Sequence, residues 1–338
     1  MQPFDRLGAT GCVWGPIMTD PIYLDYQATT PMAPEAADAM RRWIDAGFYN
    51  PHSAHRGGRQ AAAAVEVARG QVAALMRDGG RLVFTSGATE AINMALIGAM
   101  RAAPPGRRKL VTIATEHAAV RDTAFWLERE GFELALLPVD PEGIVDRAAA
   151  REAIDDTTAI VAAMAVNNEI GVIQPLDELA ALAHDAGALF FCDAVQGYGR
   201  VPLPQEADMI AVSAHKVHGP KGIGALWLRE GVEIPPLLHG GGQEQGLRSG
   251  TLSPALCAGF GTAAKLMRER AEEDAAHVQA LWETAREVFS GWTLNGSAAR
   301  RYHGNLNIRV DGLDVARLMS DVRGVLFSAG SACASGSG

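Results

Sequence analysis

The chain has 338 residues, 48% hydrophobic and 20% charged, which supplies a large core for about two domains and excludes a disordered chain. Thirty basic against 39 acidic residues leave a formal charge of −9, with no electrostatic basis for direct nucleic-acid binding. The longest apolar runs, residues 159–166 and 188–192, suit buried strands and are far too short to span a bilayer.

Residues 1–16 are glycine-rich, lack periodicity and carry no basic-then-apolar leader pattern, so residues 1–20 are expected to form an irregular extension with Met18 as an alternative start. From Pro34 onward helical and strand-like segments alternate. Residues 57–76, 89–101, 118–130 and 176–186 read as helices, and residues 82–85, 110–114, 134–139, 159–166 and 189–192 as strands. Residues 209–212 and 224–228 are further strands with no helix between them. Residues 254–290 read as a long helical region, with 305–310 and 325–328 as strands of a smaller unit. Continuous apolar strands alternating with helices define an α/β fold around a mostly parallel sheet covered on both faces.

Ligands of such sheets sit at the carboxyl ends of the strands. Five strand ends carry polar clusters here: TSGAT at 85–89, TEH at 115–117, NNE at 167–169, DAVQ at 193–196 and SAHK at 213–216. Their convergence on one site is a stronger signal than any cluster alone.

The TSGAT turn opens a helix, and its free amides with the Ser86 and Thr89 hydroxyls suit a phosphate; a plain helix cap reads equally from those residues. Only four lysines stand against 26 arginines. Of these, Lys216 is delivered by an apolar strand into a Gly/Pro loop between His215 and His218, as a Schiff-base lysine requires. Lys221 is the competitor and reads as a solvated loop residue. Asp193 emerges from a buried strand and needs a cationic partner, which a protonated pyridine nitrogen would provide; a helix cap is the plainer role. Gln196 could bond a phenolate-type oxygen or complete a turn. His117 could stack on a planar ring or serve as acid or base, against a structural role, and Asn168 offers an amide to a ring hydroxyl or substrate. The loop GGGQEQGLRSGT at 240–251 could bring Arg248 and Thr251 to a phosphate, or form a flexible hairpin.

The four cysteines, Cys12, Cys192, Cys257 and Cys333, form no close pair and no metal-ligand spacing. Neither a disulfide framework nor a metal is expected, and a reducing cytoplasm is the implied location. Cys333 lies in a small-residue tail with no bulky neighbour, which suits a mobile nucleophile as well as an incidental terminal cysteine.

Together these segments resemble the pyridoxal-phosphate enzymes of aminotransferase class V, and specifically cysteine desulfurases of the NifS/IscS kind. The resemblance runs from YLDYQATTP at 23–31 through FTSGATEAIN, TEH, VNNEIGVIQP, DAVQ, SAHKVHGPKGIG and GGGQEQGLRSGT to GSACAS at 330–335. It implies an aminotransferase type I fold with a large domain around a seven-stranded sheet and a smaller α+β domain. Residues 34–265 would form the large cofactor domain, and residues 21–33 would join the small one. Residues 266–338 would form the small domain, incomplete where the sequence stops and ending in the mobile cysteine loop.

By the same resemblance Lys216 is the lysine that bonds pyridoxal 5'-phosphate, Asp193 pairs with the pyridine nitrogen, His117 stacks on the ring and Gln196 meets its phenolic oxygen. Ala88, Thr89, Ser213 and His215 are implied phosphate contacts, Asn168 a cofactor or substrate contact, and Thr251 a residue reaching the phosphate of a second subunit in a homodimer. Cys333 matches the persulfide-forming cysteine. The implied activity removes sulfur from L-cysteine, leaving L-alanine, and passes it to an iron–sulfur scaffold or sulfur-carrier protein for cluster assembly or tRNA thiolation. Alternatives are a selenocysteine lyase, another class V enzyme, or a shortened, non-catalytic pyridoxal-phosphate-binding assembly partner. The family continues past the cysteine to an arginine that holds the substrate carboxylate, beyond Gly338.

Overall fold

The computed structural model describes residues 21–330. It opens with the two-residue strand β1 (Ile22–Tyr23) and the helices α1 (Pro34–Asp45) and α2 (Arg56–Ala73). An alternating stretch follows: β2 (Gly80–Thr85), α3 (Ala88–Ala102), β3 (Lys109–Ile113), α4 (Ala118–Arg129), β4 (Glu133–Leu137), α5 (Arg147–Ala153), β5 (Thr158–Met164), α6 (Leu176–Asp185) and β6 (Leu189–Asp193). Next come β7 (Met209–Ser213) and β8 (Gly224–Arg229), separated by a one-turn 3-10 helix, Ala214–Lys216. Helices α7 (Pro254–Glu269) and α8 (Ala271–Val288) lead to β9 (Thr293–Leu294), β10 (Ile308–Arg309), α9 (Val315–Asp321) and β11 (Val325–Leu326).

Seven strands form one sheet in the order β2-β8-β7-β6-β5-β3-β4. Every pairing is parallel except those of β8, which runs antiparallel to both β2 and β7. The short β7–β8 connection explains this, because a parallel return needs a crossover long enough to hold a helix. Both faces are apolar. Phe84, Val111, Ile113, Val161 and Phe190 belong to one buried cluster, while the alternate residues Val83, Leu110, Ile160 and Phe191 belong to the other. This period-two alternation is why the strands read as unbroken apolar runs.

Local sequence accounts for several helix boundaries. Asp146 caps α5 by accepting from Ala148 and Ala149 N–H, and Ser253 with Pro254 starts α7. The helical region expected over 254–290 is two helices that break at Arg270, where φ is −106° and ψ 8°. The strand expected over 305–310 shrinks to β10, because Asn305 and Asn307 turn their amides onto the Glu169 carbonyl at 3.1 and 3.0 Å.

β1 pairs in parallel with β11. From there the segment leading to α1 crosses to the turn after β7, where Thr30 N donates to the His215 carbonyl at 2.9 Å and Ala33 N to that of His218 at 2.9 Å. The carboxyl end of β7 thus lies against an N-terminal strap, which also meets the turn after β6, where Gln196 donates to the Gln27 carbonyl. Among the described residues no helix is long and apolar enough to cross a membrane.

Candidate active site

The turn between β2 and α3 is built to receive an anion. Gly87 caps α3 in an extended conformation, and the first intrahelical bond runs from Ala91 N to Gly87 O at 3.2 Å. The amides before Ala91 therefore have no acceptor within the helix. Thr85 Oγ1 donates to the Gly87 carbonyl at 2.8 Å, and Ser86 N donates to Glu90 Oε2 at 2.7 Å. Ala88 is half-buried and Thr89 exposed. The turn lies on Gly224 at the start of β8. A Cβ there would sit 2.6 Å from Gly87 C and 2.8 Å from Ala88 N, so only glycine lets the turn approach the sheet.

On the far side of β8 the lysine turn is held by the N-terminal strap. Ser213 is buried at the end of β7. Lys216 Nζ donates to the Gln27 and Ala28 carbonyls, the latter at 2.9 Å. Thr30 Oγ1 donates to the His215 carbonyl at 3.0 Å, and His215 Nδ1 lies 3.1 Å from Thr29 Oγ1. Burial, then the positive charges of Lys216 and Lys221, push His215 down to about 4, so it is a neutral ring at pH 7. Lys221 is exposed, as its sequence context predicts.

Asp193 closes β6 with its carboxylate buried and Oδ1 accepting from Val195 N at 3.0 Å. Burial raises its pKa, opposed by the Val195 amide and by the fields of His117 and Lys216. Glu116, also buried, accepts from Met164 N at 2.7 Å, while its Oε2 has no partner among the described residues. Burial and the nearby Asp193 push Glu116 well above the ordinary carboxylate range. A buried acid beside a second one is short of positive charge, which is the deficit a protonated ring nitrogen fills. The donor set therefore fits pyridoxal phosphate: an amine, an acid for the ring nitrogen and a free helix N-terminus for the phosphate.

His117 caps α4, its Nδ1 accepting from Ala119 N at 3.0 Å. In the neutral ring the proton is then on Nε2, and the cap fixes the ring's orientation. Gln196 donates to the Gln27 carbonyl at 2.9 Å and accepts from Arg200 Nη1 at 3.2 Å; Arg200 also donates to the Lys216 carbonyl. Asn168 is half-buried beyond β5, while its neighbour Asn167 is committed to the loop itself, bonding the Thr115 carbonyl at 3.0 Å and the Glu169 and Ile170 amides. An open cavity of about 370 Å³ lies alongside, lined by Thr89, Asn93, His117, Asp122 and Trp126 among others.

The loop at 240–251 does not form the flexible hairpin that its glycines allow. Glu244 is buried and bonds Arg69 Nη1 and Nη2 at 2.7 and 2.8 Å, and Arg248 pairs with Glu90. Thr251 is exposed at the loop's end. Cys333 and Cys12 lie outside the described residues, as does the expected extension over residues 1–20. Gln27, Glu116, Arg200 and Gly224 are site residues that motif reading passed over; YLDYQATTP, TEH and the GIG of the lysine loop contain three of them, and no local pattern marks Arg200.

A lysine and a buried aspartate at the carboxyl edge of this sheet, beside an anion-ready helix, define a pyridoxal-phosphate enzyme. The family model for aminotransferase class V matches residues 22–337, and the chain belongs to that family. Cysteine desulfurase IscS of Rickettsia bellii is 42% identical over 328 residues, covering 94% of this chain and 80% of that protein. A solved NifS-like protein superposes with a TM-score of 0.85 at 32% identity, covering 90% of this chain and 86% of the other. The solved complex of SspA with cysteine gives a TM-score of 0.77 at 31% identity, covering 94% and 91%.

Proposed function

We propose that the chain is a pyridoxal-phosphate-dependent cysteine desulfurase, with Lys216, Asp193 and His117 at the reacting centre and Cys333 as the sulfur acceptor. The observation that carries the reading is the placement of Lys216 Nζ on the turn after β7, within the field of the buried Asp193 at the end of β6. When bound, the cofactor supplies an electron sink for the substrate's Cα. Ala88, Thr89, Ser213 and His215 would hold its phosphate, Asp193 its ring nitrogen, and Gln196 its phenolic oxygen, with Asn168 at the cofactor or substrate.

Lys216 is the group that moves the Cα proton. The Gln27 and Ala28 carbonyls give its Nζ a defined resting place, so the amine stays beside the reacting atoms when it bonds neither cofactor nor substrate. His117, fixed by its cap, presents a planar face and an Nε2 proton. Cys333 attacks as thiolate on the sulfur of the bound L-cysteine: the S–S bond of a persulfide forms and the substrate's C–S bond breaks. The bonding pair stays on the substrate carbon, which takes a proton and leaves as L-alanine.

We also infer a homodimer, for which the exposure of Thr251 on an anchored loop is the support, and a protein acceptor for the persulfide serving iron–sulfur assembly or tRNA thiolation. The division at residues 265/266 and a cytoplasmic setting belong to the same proposal; the free, buried Cys192 and Cys257 accord with the latter. The test is alanine release from L-cysteine under a reductant, with Lys216→Ala and Cys333→Ala alongside. Release by the parent chain that is lost in both variants is the expected result. A chain that binds the cofactor and makes no alanine would overturn the desulfurase assignment for this chain.

A further inference from the structure

The Glu90–Arg248 pair has no role in the chemistry above, yet it bonds directly to the phosphate turn. Glu90 lies in the first turn of α3. Its Oε2 takes the Ser86 amide at 2.7 Å, while Arg248 Nε reaches Oε1 at 2.7 Å and Nη2 reaches Oε2 at 3.2 Å. Arg248 and Glu90 are both largely buried, with side chains 16% and 13% exposed in that order. A carboxylate beside an anion-binding turn opposes the anion unless its charge is matched, and a two-pronged guanidinium matches both charge and shape. Burial pushes Glu90 up, but the Arg248 and Ser86 bonds outweigh it and hold the carboxylate below its ordinary range.

Arg248 comes from a fixed arm. Glu244, four residues earlier, takes the Arg69 guanidinium with both oxygens and the Phe84 amide at 2.7 Å. Glu244 and Gln245 have φ of 49° and 58°, a left-handed region where non-glycine residues persist only when their surroundings hold them. The loop is thus pinned to β2 through Glu244 and to α3 through Arg248, on either side of the turn.

We propose that Arg248 and Glu90 are positioning residues for cofactor phosphate: Arg248 fixes Glu90, Glu90 fixes Ser86, and the remaining turn amides stay set for a phosphate group. Arg248 acts through Glu90 and does not contact the phosphate itself. The proposal rests on the pyridoxal-phosphate reading of the site and deepens it.

Two aldehydes separate this role from a general one. Apoprotein of the full chain is titrated with pyridoxal 5'-phosphate and with pyridoxal, which lacks the phosphate, and dissociation constants are read from absorbance. Arg248→Gln and Glu90→Gln are each expected to weaken pyridoxal phosphate by about tenfold, the scale of one charge-assisted contact, and pyridoxal by less than about twofold. The double variant is expected to be no weaker than either single one, because the residues act in series. Arg248→Lys, which keeps the charge and loses the fork, is expected to recover part of the loss, and thermal melts of the apoproteins show whether each variant is folded. The proposal is overturned if both aldehydes weaken equally, if neither weakens, or if the two single losses add. A parent chain that takes up neither aldehyde would strike the cofactor reading itself, and the proposal with it.

Discussion

Replacing Gly224 by alanine adds one methyl group at the tightest point between the sheet and the phosphate turn. The new Cβ would sit 2.6 Å from Gly87 C, 2.6 Å from Val212 O and 2.8 Å from Ala88 N. All three are backbone atoms, so no side chain can rotate away. Either the start of β8 or the Ser86–Ala88 turn must shift by several tenths of an ångström. Overpacking of this kind costs about 1–3 kcal/mol, and the lower chain entropy of alanine in the unfolded state returns about 0.4–1 kcal/mol. The net expectation is a loss of about 1–2 kcal/mol in urea unfolding, with pyridoxal phosphate held about tenfold more weakly, the equivalent of about 1.4 kcal/mol. Gly70 provides the control. It is exposed within α2 and a Cβ there meets nothing within 4 Å, so Gly70→Ala should stabilise by about 0.5–1 kcal/mol and leave cofactor affinity unchanged. A Gly224→Ala protein as stable as its parent and equally tight for the cofactor would refute the packing argument.

Glu116 and Glu90 should shape stability in opposite senses. Because Glu116 titrates above its unfolded value, the folded chain keeps a proton that the unfolded chain releases, and stability falls as pH rises from about 4.3. Glu116→Gln should flatten that fall, matching or exceeding the parent in urea midpoint near neutral pH; a steeper fall would contradict the assignment. Glu90 titrates below its unfolded value, so its contribution is full above about pH 4.3 and is lost on acidification. Arg248→Gln should therefore narrow its gap to the parent in chemical denaturation as pH is lowered. Arg69→Ala strands the buried Glu244 carboxylate, 2% exposed, and should cost about 3 kcal/mol in the same assay; a loss under about 1 kcal/mol would mean that the Phe84 amide alone suffices.

Much of this architecture was legible in the chain. Unbroken apolar runs such as the one containing β5 declare a strand buried on both faces, and the direct step from β7 to β8 foretells the antiparallel member. The polar clusters read at strand ends include Asp193, Lys216 and the turn before α3, which the fold does set at the ends of β6, β7 and β2. β1 escaped, because its cause is remote: it is two residues long and exists through its pairing with β11, which lies within the strand expected over 325–328. Arg270 ends one helix and precedes the next with neither proline nor glycine to announce it. The same distance hid the partner of Arg248, since Glu90 lies 158 positions away and a loop of glycines gives no hint of two anchoring ion pairs. Asn167 and Asn168 show the limit at the site itself: adjacent and identical, they are told apart only by the bonds that fix one to the loop.

The pairing of β1 with β11 also sets an order on assembly. The strands are about 300 residues apart in sequence, so on a growing chain β1 has no partner until β11 has been made. The contacts of Thr30 and Ala33 with the His215 and His218 carbonyls need about a hundred fewer residues. The strap can therefore dock on the lysine turn first and leave β1 as a template for β11. Closing so long a loop costs little more than closing one half its length, yet such non-local pairing is slow. Zipping of β1 with β11 then follows docking of the strap, and joins Val325–Leu326 to a segment already anchored at the lysine turn.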